Sequence, residues 1–184
     1  LNYLKNIKEK IEIKKYKNLP IKEVFGKIYN EKVWTPENEK KNFKYYSGLG
    51  SHKSEFTDEY ISKTISFLKT FEKKPSIVEF GCGDFEVSSK LVSYSSSFTA
   101  CDIFEELIKT NQERFKDEKL KFLVLDMTRD QLPEAEICII RCVLQHLSNQ
   151  MIKKFLNRIN GKFSYLLITE HFPKKEIFTP NKDI

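Results

Sequence analysis

From residue 76 onward, apolar runs of strand length alternate with segments whose apolar residues recur at helical spacing, and few folds accept that alternation. The runs are Ile77–Phe80, Phe98–Asp102, Leu120–Leu125, Ile137–Ile140 and Tyr165–Ile168. Between them, Val87, Leu91 and Tyr94 share one helix face, as do Phe104, Leu107, Ile108 and Phe115. Ser148 caps a further helix carrying Met151, Ile152, Phe155, Leu156 and Ile159, with Gly161 just past its end. Apolar strands separated by helices predict a mostly parallel sheet covered on both faces. Right-handed crossovers then give a doubly wound, Rossmann-like α/β fold. Ligands of such sheets bind at the carboxyl ends of the strands, near the switch in winding direction. Chemistry is therefore expected just after residues 80, 102, 125, 140 and 168.

The upstream part reads differently. Residues 1–24 pattern as an irregular basic helix with Leu4, Ile7 and Ile11 on one face, interrupted by Pro20. Residues 30–54 are polar and contain Pro36, Gly48 and Gly50, which predicts a long loop, and a loop of that length is commonly functional. Thr57 reads as the N-cap of a helix bearing Ile61, Ile65 and Leu68, stopped by Pro75. The expected organisation is an N-terminal helix and lid-like loop over 1–54, then a Rossmann-like domain over 55–184.

The first strand runs into Glu79-Phe80-Gly81-Cys82-Gly83-Asp84-Phe85. Glycines allow a tight turn and close approach of backbone to ligand. A dinucleotide loop needs a third glycine for close packing and a helix N-terminus that accepts pyrophosphate. Glu86 stands at that third position, where its charge repels phosphate. A ligand without phosphate fits better. S-adenosylmethionine carries an α-ammonium, a carboxylate and a sulfonium. Glu79 can help hold the ammonium, N–H groups of the turn can face the carboxylate, and Asp102, 19 residues beyond Gly83, can accept both ribose hydroxyls.

The segment Glu79–Asp84 resembles motif I of class I methyltransferases, (D/E)-x-G-x-G-x-G, with Phe85 in place of the last glycine. Leu125-Asp126-Met127 resembles the segment flanking the adenine, which implies Asp126 toward the exocyclic amine and Met127 against the ring. Ile139 to Leu147 is similar to the motif IV region, which implies Arg141 and Cys142 beside the methyl group. The cofactor-binding set expected is thus Glu79, Phe80, Gly81, Cys82, Gly83, Asp102, Ile103, Asp126, Met127, Arg141 and Cys142. The resemblance covers roughly residues 75–170. More narrowly, Tyr29–Trp34, Ser47–Ser51 and Thr179–Ile184 look like segments of small bacterial methyltransferases from capsule and surface-polysaccharide loci, which methylate sugar hydroxyls or a phosphoramidate decoration. The family sheet has strand order 3-2-1-4-5-7-6, and five strands can be placed here, so strands six and seven are expected to be missing, from a truncated chain in preference to a minimal variant.

Methyl transfer needs nucleophile and methyl aligned, and a base where the acceptor carries a proton. His146 after the fourth strand and His171 after the fifth are the candidate bases, with Glu170 as orienting or alternate base and His52 a weaker candidate in the polar loop. An anionic acceptor needs no base and would be oriented by Arg141. Cys142 reads as a small residue lining the methyl pocket, since no activating partner is evident. Tyr45, Tyr46 and Trp34 form a lid or simply pack, with Tyr45, Tyr46 and Glu170 as candidates for contact with the acceptor, and Gly48 and Gly50 allow the loop to close.

The net charge is +6, but the lysines are dispersed among glutamates, which reads as a solvated surface and makes nucleic acid an unfavoured partner. Cys82, Cys101, Cys138 and Cys142 include no Cys-x-x-Cys pair, so buried thiols of a cytoplasmic protein are expected and no metal. No apolar run is long enough to span a membrane. The functions carried forward are O-methylation of a small-molecule or glycan acceptor in capsular polysaccharide biosynthesis, methylation of RNA or other nucleic acid, and cofactor binding by a catalytically inactive subunit. The second lacks the Asn-Pro-Pro-Tyr-type amino-methylating motif, where Arg141-Cys142-Val143-Leu144 stands instead.

Overall fold

The computed structural model describes residues 19–170. The basic stretch before Leu19, His171 and the segment Thr179–Ile184 lie outside them. Five strands, β1 (Ser76–Phe80), β2 (Ser97–Asp102), β3 (Leu120–Val124), β4 (Ile137–Arg141) and β5 (Tyr165–Thr169), form one parallel sheet in the order β3-β2-β1-β4-β5. This is the doubly wound Rossmann-like sheet that the alternation predicts. The central strands β1 and β4 are buried almost throughout, which is why their sequences are apolar runs rather than alternating ones.

Side chains leave a strand on alternate faces. One face of the sheet presents Ile77, Ile137, Ile139, Phe98 and Ala100 to helix α3 (Ser54–Leu68), a 3₁₀ segment (Ser88–Tyr94) and helix α4 (Glu105–Arg114). The other presents Val78, Phe80, Cys138 and Ile140 to helix α5 (Asn149–Ile159), chiefly Phe155 and Ile159. Ser148 caps α5 as predicted, its hydroxyl accepting from Met151 N–H at 3.2 Å. Helix α1 (Ile21–Asn30) begins at Pro20 and lies over the carboxyl ends of the strands, where Tyr29 packs with Tyr45, Phe104 and Leu107. On β5, the sheet edge among the described residues, Tyr165, Leu166 and Ile168 are each exposed by over 40%.

Three local expectations differ. Residues 30–54 are not one loop: a 3₁₀ turn (Glu37–Glu39) and the short helix α2 (Leu49–His52) interrupt it. Thr57 lies inside α3, its hydroxyl bonding back to Lys53 O at 3.2 Å instead of capping. Ser88–Tyr94, expected as part of an α-helix, winds as a 3₁₀ segment because Ser88 and Ser89 direct their hydroxyls to Glu79 and to Glu86 O, contacts that compete with an α-helical ladder.

Candidate functional site

The carboxyl ends of β1, β2 and β4 open into one cavity of about 260 Å³, floored by the glycine turn and roofed by α1 and the segment 47–51. Glu79, Gly81, Cys82, Gly83, Asp102, Ile103, Asp126, Met127, Arg141, Cys142 and His146 all line it. Sequence reasoning had named all of these separately, and the fold brings them together.

The turn is held by its own backbone. Gly81 and Cys82 both donate to Cys101 O, at 2.8 and 2.9 Å, so the turn is stitched to the end of β2. Gly81 and Gly83 have φ of 73° and 56°, which favour glycine. They are also close-approach points: a Cβ on Gly81 would lie 2.5 Å from Val143, and one on Gly83 2.4 Å from Ser47 Oγ. Phe85, which replaces the last motif glycine, keeps a left-handed φ of 62°. That costs about 1–3 kcal/mol. Its fully buried ring, packed on Phe98, Phe115 and Phe122, offsets it with a burial gain of similar size, about 1.5–3 kcal/mol.

Two buried carboxylates flank the turn. Asp102 Oδ2 accepts from Gly83 N–H at 3.0 Å and Oδ1 from Phe104 N–H at 3.1 Å, which leaves further acceptor capacity on both oxygens. Burial raises its pKa, and these backbone donors oppose the rise. Glu79 Oε1 accepts from Ser88 at 2.6 Å, while its Oε2 is buried without a partner. Burial pushes Glu79 up to about 7, against the Ser88 hydrogen bond and the Arg141 charge. An unpartnered carboxylate oxygen in a cavity is a receptor for a cation or a donor. Asp126 accepts from Thr128 N–H and hydroxyl through Oδ1, at 2.8 and 2.7 Å, beside the apolar wall of Met127, Leu147 and Met151. Phe80 borders the cavity, but its ring packs in the core against Phe155.

The loop after β4 carries the remaining candidates. Cys142 sits at φ 56°, with its N–H on Thr169 O at 2.8 Å. Burial raises its thiol pKa, consistent with a lining role. Glu170 Oε1 accepts from Val143 and Leu144 N–H, at 2.9 and 2.8 Å, so it fixes this loop from behind and does not border the cavity. His146 is exposed on the cavity rim, its ring 5.0 Å from Trp34 and 6.4 Å from Phe25. His171 lies outside the described residues.

Tyr45 and Tyr46, expected near the acceptor, do not border the cavity. Tyr45 packs on Tyr29 and Phe104, and Tyr46 stacks on His52 at 3.8 Å. His52 in turn faces Asp84, Nε2 to Oδ2 at 2.6 Å. From α1 and the segment that follows it, Ile21, Phe25, Tyr29, Trp34, Ser47, Gly48, Gly50 and Ser51 do line the cavity. Phe25 carries no signal in the sequence, and Ser47 and Asp84 stand in their motifs without an individual role, because no local pattern reports a contact made 37 residues away.

Residues 77–161 match the family model described as a methyltransferase domain. The chain is 24% identical over 140 residues to an rRNA adenine N-6-methyltransferase of Streptococcus sanguinis, covering 75% of this chain and 55% of that protein. A protein of the same name from Clostridium perfringens is 24% identical over 139 residues, covering 74% and 54%. The chain thus spans about half the length of the curated relatives it matches. Among solved structures, magnesium protoporphyrin IX methyltransferase of Synechocystis with bound SAM superposes with a TM-score of 0.58 at 13% identity, covering 82% of this chain and 76% of that one. An N-methyltransferase of Bradyrhizobium japonicum in complex with S-adenosyl-L-homocysteine gives 0.54 at 14%, covering 72% and 65%. The fold is therefore that of the Rossmann-like methyltransferases. Within it, residues 77–161 form the part that carries the methyltransferase-domain match.

Proposed function

We propose that the chain is an S-adenosylmethionine-dependent methyltransferase that O-methylates a small-molecule or glycan acceptor. The observation that carries this reading is the pairing of two buried carboxylates around one glycine turn: Glu79 with an unpartnered Oε2, and Asp102 with spare acceptor capacity on both oxygens. An adenosyl amino acid offers a cation to the first and two ribose hydroxyls to the second. The close approach at Gly81 and Gly83 leaves a smooth floor, and Asp126 with Met127 suits an adenine. No lining feature calls for a pyrophosphate, and Glu86 on the wall opposes one.

The donor, once bound, supplies a methyl group on a positively charged sulfur, so its departure requires no acid. The chain's residues supply alignment and exclusion of water. Phe25, Tyr29 and Trp34 close the roof, and Cys142 and Val143 border the end of β4. His146, on the rim beside Trp34, is the candidate to take a proton from an acceptor hydroxyl, with His171 as the second candidate. The capsule-type acceptor rests on the resemblance of Tyr29–Trp34 and Ser47–Ser51, and a cytoplasmic location on the cysteine usage. Among the described residues no helix is long and apolar enough to cross a membrane.

The relatives named as rRNA adenine N-6-methyltransferases support a second reading, a nucleic-acid acceptor. One observation weighs against it: the Arg141–Leu144 segment lacks the amino-methylating motif. Transfer of labelled methyl to sugar or small-molecule hydroxyls, with rRNA as the alternative acceptor, tests the choice. Label on rRNA with salt-sensitive binding would overturn the glycan reading. Donor binding without transfer to any acceptor would favour the inactive-subunit reading. His146→Ala should lower kcat and flatten its pH profile, and unchanged values would remove His146 as base.

A further inference from the structure

Resting on that reading of the cavity, we infer that the Arg141 guanidinium anchors the α-carboxylate of the donor's amino-acid tail and ties the segment 47–52 to its presence. The tail is a zwitterion and needs a partner of each sign. The turn is the natural place to seek donors for its carboxylate, but the turn's N–H groups are committed within the protein. Gly81 and Cys82 donate to Cys101 O, Gly83 to Asp102 Oδ2 at 3.0 Å, Asp84 to Ser47 Oγ at 2.7 Å and Phe85 to Cys82 O at 3.2 Å. The remaining charged lining groups at the turn and the adenine end are Glu79, Asp84, Glu86, Asp102 and Asp126, which repel a carboxylate. Arg141 is the one lysine or arginine among the described lining residues.

The sheet puts the two tail partners side by side. Glu79 pairs with Ile139 across β1 and β4, and Arg141 follows Ile139 by two positions, so Glu79 and Arg141 leave the same face of neighbouring strands. Each keeps one buried polar atom without a partner, Glu79 Oε2 and Arg141 Nε. Glu79 is 3% exposed, so its orphan oxygen is largely withdrawn from bulk solvent. Two orphans of opposite sign, adjacent in one cavity, match an ammonium and a carboxylate on the same carbon.

Arg141 is also braced by the roof of the cavity and by α3. Its Nη2 donates to Gly50 O, its Nη1 to Ser51 Oγ at 3.4 Å, and its plane lies 5.0 Å from the Tyr60 ring. A carboxylate on its free Nε would fix the guanidinium further, and with it the backbone at Gly50. The tail thereby steadies α2 and the roof over the site.

Three ligands separate the claim from its premise: S-adenosylhomocysteine, S-adenosyl-3-thiopropylamine, which lacks only the carboxylate, and 5′-methylthioadenosine, which lacks the whole tail. Calorimetry on the wild-type chain should find the carboxylate worth about tenfold to a hundredfold in affinity, as for a charge-assisted hydrogen bond. In Arg141→Gln that advantage should vanish, with methylthioadenosine affinity within about twofold of wild type. Hydrogen exchange at 47–52 should slow with S-adenosylhomocysteine but not with the thiopropylamine. Equal affinity of wild type for the two adenosyl amines overturns the inference while leaving the donor site intact. A uniform loss for all three ligands in Arg141→Gln also overturns it, because it marks a collapsed site. Binding of none of them to the wild type overturns the donor reading itself.

Discussion

Ser47 and Asp84 exchange two hydrogen bonds: Ser47 N–H donates to Asp84 Oδ2 at 2.8 Å, and Asp84 N–H donates to Ser47 Oγ at 2.7 Å. Tyr29 OH joins Ser47 Oγ at 3.1 Å, and His52 joins the same Asp84 oxygen at 2.6 Å. The segment 47–52 is therefore seated on the glycine turn itself, and whatever perturbs one is felt by the other.

Gly83→Ala tests that seating. The new Cβ meets Ser47 Oγ at 2.4 Å, and φ of 56° strains any residue other than glycine. Weakening of S-adenosylhomocysteine binding by about tenfold or more is expected, with about 1–3 kcal/mol of strain added to the turn. Wild-type affinity for Gly83→Ala by calorimetry contradicts the close approach.

His52→Ala should loosen the lid alone. Asp84 Oδ1 is already buried without a partner, so loss of the imidazole leaves the carboxylate with Ser47 N–H as its main contact. Amide exchange over 45–53 should rise by about tenfold, the effect of about 1.4 kcal/mol on a local opening equilibrium. Exchange in β1 and β4 should not change. Equal acceleration in the strands would make His52 part of the global core instead.

Glu79 gives a pH signature. Its folded pKa is about 7, above the ordinary carboxylate value of 4.5. Between those values the folded state binds more protons than the unfolded one, so unfolding free energy falls as pH rises. The penalty is absent below pH 4.5, grows up to pH 7 and is complete above it, on the order of 3 kcal/mol. Glu79→Gln should therefore lose much of the pH dependence of ligand-free stability in this window and be the more stable protein at pH 8. It should also bind S-adenosylhomocysteine more weakly there, since the cation partner is gone. Denaturant unfolding of both proteins at pH 5 and pH 8 checks this, and parallel profiles would contradict it.

What the sequence made legible was whatever is encoded locally. The runs Ile77–Phe80 and Ile137–Ile140 announce buried parallel strands because apolar residues fall on both faces of each, broken in the first only by Glu79, and Asp102 is conspicuous as a carboxylate ending such a run. Ser148 as a cap depends on one turn of chain. Thr57 misled because a hydroxyl before an apolar stripe looks alike at a cap and one turn inside a helix, where it bonds back to Lys53 O. Ser47, Asp84 and the bracing of Arg141 by Gly50 were hidden, since each depends on a lid that returns across the sheet from 37 or more residues away. Tyr45 and Tyr46 were visible as aromatic, but which way they face follows from Phe104 and His52, which no spacing reports.

A crevice between Glu79 and Asp102 that grips an adenosyl amino acid, as proposed, must show itself in calorimetric titration with S-adenosylhomocysteine. One saturable site per chain is expected. Asp102→Ala should weaken it by about 1–3 kcal/mol through lost hydrogen bonds, and NAD should not compete. The absence of heat from S-adenosylhomocysteine, or its displacement by NAD, would contradict the account.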